Sequence, residues 1–163
     1  LYVDLLHGLA LRLLRDPVAA QDVVQNVFVK VHRAADRLDP DRDPGPWLAT
    51  ITCNECRGRW RSWSFKLGRR SRSLDDEDEL IQRLAADGRD PEEELLVKER
   101  HRALERAVGE LPEDQRSVVL LHDHRGFSHE EIATIVGASP VAVRKRYSRA
   151  LARLRELLED EGR

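Results

Sequence analysis

The chain has 163 residues, of which 36% are Asp, Glu, Lys or Arg and 40% are hydrophobic, with a formal net charge of −2. Such a charge load favours small all-helical units with much surface over one large core, and the near-zero total conceals blocks of opposite sign. Two cysteines cannot build a disulfide framework, and with no signal peptide or run of about 18 apolar residues we expect a soluble cytoplasmic protein with no membrane insertion. The chain holds no methionine and opens inside the apolar periodic segment LYVDLLHGLALRLL, so a preceding N-terminal piece is expected.

Leu5, Leu6, Leu9 and Leu13 fall on one helical face, and Asp16-Pro17 then supplies an N-cap followed by proline at the first helical position. A second helix therefore begins at Pro17. Its inward stripe is Val23, Val24, Val27, Phe28 and Val31, which leaves Gln21, Asp22, Gln25, Asn26, Val29 and Lys30 outward. A polar face with few long charges serves either as a docking surface or as an ordinary solvated one. Residues 39–46, DPDRDPGP, force a loop, and the next helix starts near Pro46 with Trp47, Leu48 and Ile51 inward.

That helix runs into CNECRGRWRSWSFKLGRRSR, where Arg57, Arg59, Arg61, Lys66, Arg69, Arg70 and Arg72 meet no acid after Glu55 and interleave with Trp60, Trp63 and Phe65. Cations that track a backbone, beside rings on which bases stack, are what single-stranded nucleic acid needs. The bland alternative is that the tryptophans plug a core, and both readings can hold at once. From Asp75 to Glu94 the sign reverses to a net charge of −8 in twenty residues. This block reads as a linker with a short apolar patch, Leu80, Ile81 and Leu84. As coil, residues 71–90 average about 25 Å end to end and stretch to roughly 70 Å.

Asp90-Pro91-Glu92-Glu93 repeats the cap-and-proline pattern and launches a helix whose expected buried side is Leu95, Leu96, Ala103, Leu104, Ala107 and Val108. Leu111-Pro112 ends it. A further helix, PEDQRSVVLLHDH, supplies the apolar run Val118–Leu121 and stops at Arg125-Gly126.

Residues 126–158 then form a helix-turn-helix. Ser128 and Glu131 make a reciprocal capping box, Gly137 suits a left-handed helix end, and Ser139-Pro140 caps and starts the second helix. Ala133 is small where two axes approach, and Val143, Tyr147, Leu151 and Leu154 form the expected inward stripe. The other face carries Arg144, Lys145, Arg146, Arg149, Arg153 and Arg155, with no acid between Pro140 and Arg155, and suits a groove walled by phosphates.

Cys53-x-x-Cys56 and His122, His124 and His129 raise a metal or thiol alternative. One CxxC is a weak signal, since a structural zinc site takes four ligands, and small buried thiols explain the pair equally. No nucleophile-base pair, carboxylate cluster or phosphate-cradling glycine loop emerges, so no enzyme and no cofactor are expected. A duplex-binding regulator is the remaining competitor, but it needs no stacking platform.

LALRLLRDPVAAQDVVQNVFVKVHRA in the first half and LPEDQRSVVLLHDHRGFSHEEIATIVGASPVAVRKRYSRALARLREL in the second resemble, in order, the second and fourth regions of the extracytoplasmic-function group of bacterial sigma-70 factors. The resemblance implies an all-α chain of two small helical domains, at 1–70 and 91–163, joined by the acidic linker 71–90. It implies that Gln21, Asp22, Gln25, Asn26, Val29 and Lys30 dock on the clamp of the largest subunit of core RNA polymerase. Asn54, Arg57, Trp60, Arg61 and Trp63 are then expected to hold the melted −10 promoter strand, and Ala142, Arg144, Lys145, Arg146, Arg149 and Arg153 the −35 duplex. It further implies a linker that threads the polymerase RNA channel as a nucleic-acid mimic, and an anti-sigma partner that holds the chain inactive. Asn26 and Gln21 stand where the family more often has acids, Gly58 replaces a frequent aspartate, and His122-Asp123-His124 is unusually rich in histidine.

Overall fold

The computed structural model describes residues 2–65 and 91–161, without the side chains of residues 63–65, 91 and 161. The expected linker 71–90 with its apolar patch, the Asp90 cap, the cations Lys66, Arg69, Arg70 and Arg72, and the rings of Trp63 and Phe65 lie outside this description. The described residues are helices and turns: α1 (Tyr2–Leu14), α2 (Pro17–Ala34), a 3-10 turn (Ala35–Arg37), α3 (Gly45–Phe65), α4 (Pro91–Glu110), α5 (Glu113–Val119), a π-helical turn (Leu120–His124), α6 (His129–Val136) and α7 (Pro140–Glu161).

In the first half, α1, α2 and α3 pack on one another in all three pairings. Asp16 begins α2 as expected, its Oδ1 accepting from the Val18 and Ala19 N–H groups at 3.0 and 3.1 Å. Such a cap is worth about 1 kcal/mol. Leu6, Leu9, Leu13, Val23 and Val27 are fully buried, with Leu48, Cys53 and Cys56 of α3 closing the core. Thr52 is buried there too, and its hydroxyl donates to the Leu48 carbonyl at 2.8 Å, so no polar atom of that side chain is stranded. Phe28 departs from the expected stripe and is exposed: the helix turns Val23, Val24 and Val27 inward, and position 28 passes beyond the edge of that face.

In the second half, α7 is the post against which α4, α5 and α6 lean. Two expectations are corrected here. Leu95, Leu96 and Leu104 are exposed, because only the C-terminal end of α4, at Ala107 and Val108, meets the core. Leu151 is also exposed, its place in the α7 stripe being taken by the fully buried Ala150. The stripe therefore runs 143, 147, 150, 154, the 3.6-residue period selecting seven rather than eight after Val143. The helix expected over PEDQRSVVLLHDH ends its α-helical part at Val119 and continues as the π-helical turn.

The halves also pack against each other, α3 on α6 and α1 on α5, and their buried apolar residues form one contiguous cluster. Arginines lace the seam. Arg12 pairs with Glu105 at 3.1 Å and Arg57 with Glu113 at 3.5 Å, while Arg116 donates to the Leu13 carbonyl at 2.8 Å and Arg125 to the Leu5 carbonyl. Two glycines admit the guanidinium groups: Arg125 would lie 3.6 Å from a Cβ on Gly8, and a Cβ on Gly109 would collide with Arg15. Arg15 itself ends α1 at φ 53, a left-handed conformation that is uncommon for a side-chain-bearing residue.

Two outcomes follow from this architecture. Gly58 sits inside α3 with open space where a Cβ would be, so Gly58→Ala should stabilise the chain by about 0.5–1 kcal/mol, read as a higher Tm. His124 Nε2 lies 3.2 Å from the Arg12 guanidinium, and burial, then Arg12, Arg125 and His101, hold its pKa down to about 4 from the ordinary 6.5. A depressed histidine favours the packed state above its free pKa, and that contribution is lost as pH falls from about 6.5 toward 4. Thermal melts over that range should therefore drop more steeply for the wild type than for His124→Gln; parallel curves would remove His124 from the seam.

Candidate nucleic-acid interface

The helix-turn-helix is built as its caps dictate. Ser128 Oγ accepts from the Glu131 N–H at 3.2 Å while Glu131 Oε2 accepts from the Ser128 N–H at 2.8 Å. Gly137 closes α6 at φ 67, the left-handed region that a residue without Cβ enters at no steric cost. Ser139 Oγ then accepts from the Ala142 N–H at 3.1 Å, and Pro140 opens α7. Ile132, Ala133, Ile135 and Val136 of α6 are buried against the core, which leaves the far side of α7 to solvent.

On that side Arg144, Lys145, Arg149 and Arg153 are exposed, while Ala142 and Arg146 are half-buried. Arg144 lies 3.6 Å from Glu130, Arg146 3.6 Å from Asp114 and Arg153 3.0 Å from Glu156. No ion pair is formed by Lys145 or Arg149 among the described residues. The expected set is thus brought onto one helix, with two cations uncommitted and three in surface pairs, each worth about 0–1 kcal/mol.

A small aromatic cluster holds α7 from behind. Tyr147 donates its hydroxyl to Asp123 at 2.8 Å, and the rings of His122 and His129 stack at 4.7 Å beside it. Burial, then the Asp123 carboxylate, push the Tyr147 pKa up, so the hydroxyl remains a donor at neutral pH. The sequence offered Tyr147 only as a stripe residue and gave no sign of its partner.

The second candidate face is the outer side of α3. Asn54 and Arg61 are exposed there, whereas Arg57 and Trp60 are half-buried: Glu113 takes Arg57, and the Arg116 guanidinium lies 5.9 Å from the centre of the Trp60 ring. Trp60 also packs on the core, the plugging role that the sequence left open beside stacking. Arg116 was not legible as functional. It donates to the carbonyls of Leu13, Gly109 and Leu111 at 2.8, 2.6 and 2.9 Å, and burial, then the nearby Arg15, lower its pKa to about 10, which still leaves it protonated at pH 7.

The third face is the outer side of α2. Gln21, Gln25, Asn26, Val29 and Lys30 are exposed, and Asp22 is half-buried and paired with Arg59 at 3.0 Å. Glu55 of α3 receives hydrogen bonds from Asn26, at 3.4 Å, and from Lys30. Val18, Phe28 and Val29 add exposed apolar surface to the same helix. Cys53 and Cys56 are buried free thiols of one helix; burial raises the Cys53 pKa to about 12 and that of Cys56 beyond it, which suppresses the reactive thiolate. Among the described residues no group of three or more His, Cys, Asp or Glu is placed to hold a metal, and no helix is long and apolar enough to cross a membrane.

Known proteins share these features. The family profile described as Sigma-70 region 2 matches residues 1–64, and Sigma-70, region 4 matches residues 101–154. The probable RNA polymerase sigma factor RfaY of Xanthomonas campestris pv. campestris is 36% identical over 155 residues, which are 93% of this chain but 37% of that protein's length. The ECF RNA polymerase sigma-E factor of Escherichia coli K12 is 32% identical over 134 residues, 79% of this chain and 68% of that protein. The sigma factor RpoE, solved in complex with the anti-sigma factor NepR from Bartonella quintana, has a TM-score of 0.74 at 26% identity, covering 96% of this chain and 91% of that one. Likeness of this extent through both halves leaves one assignment: the chain belongs to the extracytoplasmic-function group of the sigma-70 family of RNA polymerase sigma factors.

Proposed function

We propose that the chain is a promoter-specificity subunit of bacterial RNA polymerase, acting in the cytoplasm and catalysing nothing itself. The observation that carries this reading is the occurrence, in family order, of two helices suited to two forms of DNA: α3, with cations and rings alternating, and α7, basic and free of acids up to Arg155. The part on either side of residues 71–90 then acts as a domain of its own kind, 1–70 on polymerase and the −10 element and 91–163 on the −35 element.

On the −35 duplex, Lys145 and Arg149 lead, with Ala142 allowing close approach of the helix. Arg144, Arg146 and Arg153 exchange surface carboxylates for phosphates at little cost. At the −10 element Asn54, Arg57, Trp60, Arg61 and Trp63 hold the unpaired strand, cations on phosphates and rings on bases, with one base extruded. Captured single strand favours the open state without ATP, each stack contributing about 1–3 kcal/mol. Gln21, Asp22, Gln25, Asn26, Val29 and Lys30 of α2 dock on the clamp of the largest polymerase subunit. By likeness to RpoE, which was solved with NepR, an anti-sigma protein is the regulatory partner.

The direct test is run-off transcription: core polymerase lacking any sigma factor should initiate at discrete sites when this chain is added, and featureless products would refute the reading. Lys145→Ala and Arg149→Ala should each weaken −35 duplex binding and flatten its salt dependence by about one unit of slope; an unchanged slope would remove that residue from the interface. Gln25→Ala with Val29→Ser should weaken association with core polymerase by about tenfold, the scale of a lost interface anchor, while duplex binding stays the same. Equal polymerase affinity would relocate the docking face.

A further inference from the structure

Most cations of α7 flank the line of side chains that faces furthest from the core. At about 100° of turn per residue, the side opposite the buried Val143, Ala150 and Leu154 is occupied by Val141, Lys145, Ser148 and Ala152, all exposed. Arg144 and Arg146 lie on either side of that crest, and each reaches back to a neighbouring helix, Arg144 to Glu130 of α6 and Arg146 to Asp114 of α5, both at 3.6 Å. Arg149 and Arg153 lie on the same flank as Arg146. The crest thus carries a single charge, Lys145. It opens with an isopropyl group, that of Val141, 53% exposed on the second residue of the helix. Val141 belongs neither to the buried cluster nor to the apolar residues packed against it.

We propose that Val141 is a specificity-determining residue, whose isopropyl group packs on the C5-methyl of one thymine in the −35 duplex. This rests on the functional reading above and adds to it an uncharged residue outside the expected set. A helix with charged flanks and a nearly neutral crest suits a groove whose walls are phosphates and whose floor is base edges: the flanks fix position and the crest reads sequence. The first residues of the second helix of a helix-turn-helix meet those edges. On the floor of the major groove the thymine methyl is the apolar handle, and a branched aliphatic side chain matches it. Cytosine presents an amino donor there instead, which valine would leave unpaired, so the same contact disfavours cytosine.

Position 141 is also held firmly enough to read. Ser139 Oγ accepts from the Ala142 N–H at 3.1 Å, and Pro140, with its fixed φ, precedes the valine, so the first turn of α7 has little freedom. A β-branched side chain in a helix keeps one χ1 rotamer, so seating Val141 on a base costs little further entropy. Arg144 and Arg146, already turned sideways toward α6 and α5, leave the crest clear for that approach.

The test uses the full chain assembled with core polymerase to select duplexes from a random-sequence pool, against core polymerase alone, and takes the enriched duplex as the probe. Each thymine of its −35 element is then replaced in turn by deoxyuridine, which lacks only the methyl group. With the wild type, replacement at one position should weaken binding about fourfold, the scale of one buried methyl group. With Val141→Ala, the thymine duplex should bind more weakly than to the wild type by a similar factor, and the same replacement should cost nothing further. Alanine is the better helix former and position 141 is exposed, so this variant keeps its fold. Arg144→Ala, on the flank, should weaken the thymine and uracil duplexes alike and preserve the ratio between them. If no deoxyuridine weakens wild-type binding, or if the penalty persists in Val141→Ala, the assignment of Val141 is overturned while the enriched duplex leaves the functional reading standing. A pool from which the assembled chain enriches no duplex overturns both.

Discussion

One guanidinium closes the ends of two helices that belong to different halves of the chain. Arg116 donates three hydrogen bonds, to the carbonyls of Leu13 at the end of α1 and of Gly109 and Leu111 at the end of α4. Carbonyls at helix C-termini lack partners within their own helix and carry partial negative charge, so a buried cation there answers both needs. Trp60 covers the same group from the α3 side. Remove that charge and two helix ends lose their cap together, which is why the placement of α3 against the second half follows from a residue outside every expected DNA or polymerase contact.

This arrangement gives α3 two loyalties. Its inner edge, Leu48, Thr52, Cys53 and Cys56, belongs to the core of the first half. Asn54 and Arg61 look outward, and between these sides lie Arg57 and Trp60, claimed by the second half in this structure and by the promoter strand in the proposed activity. Helix α7 has no such conflict. Its cations face solvent or shallow carboxylates, and its rear is fixed by the Tyr147–Asp123 hydrogen bond and by Val143, Ala150 and Leu154.

What the sequence disclosed was what short-range chemistry decides. The Ser128–Glu131 box, the Gly137 turn, the Ser139-Pro140 start and the Asp16-Pro17 start each involve residues within four positions of one another, and each stands as expected. The acid-free face of α7 was equally plain, since charge along one helix needs no tertiary knowledge. The misreadings all required knowing a neighbour. Leu95, Leu96 and Leu104 have helical spacing suited to burial, but the core reaches only the last turns of α4. Leu151 and Ala150 compete for one inward position, and Ala150 takes it. Arg57 and Arg59 looked uncompensated because their acids, Glu113 and Asp22, are far away in sequence. The whole seam, with Arg12, Arg15, Arg57, Arg116 and Arg125, joins residues far apart in the chain, for which a single sequence carries no local signal.

The central claim is that the free chain keeps its halves closed over α3, and small-angle X-ray scattering of the full chain alone measures this most directly. A closed chain of 163 residues should have a radius of gyration of about 15 Å. A free chain with a radius above about 20 Å, as two separate bodies on a tether would give, would contradict it.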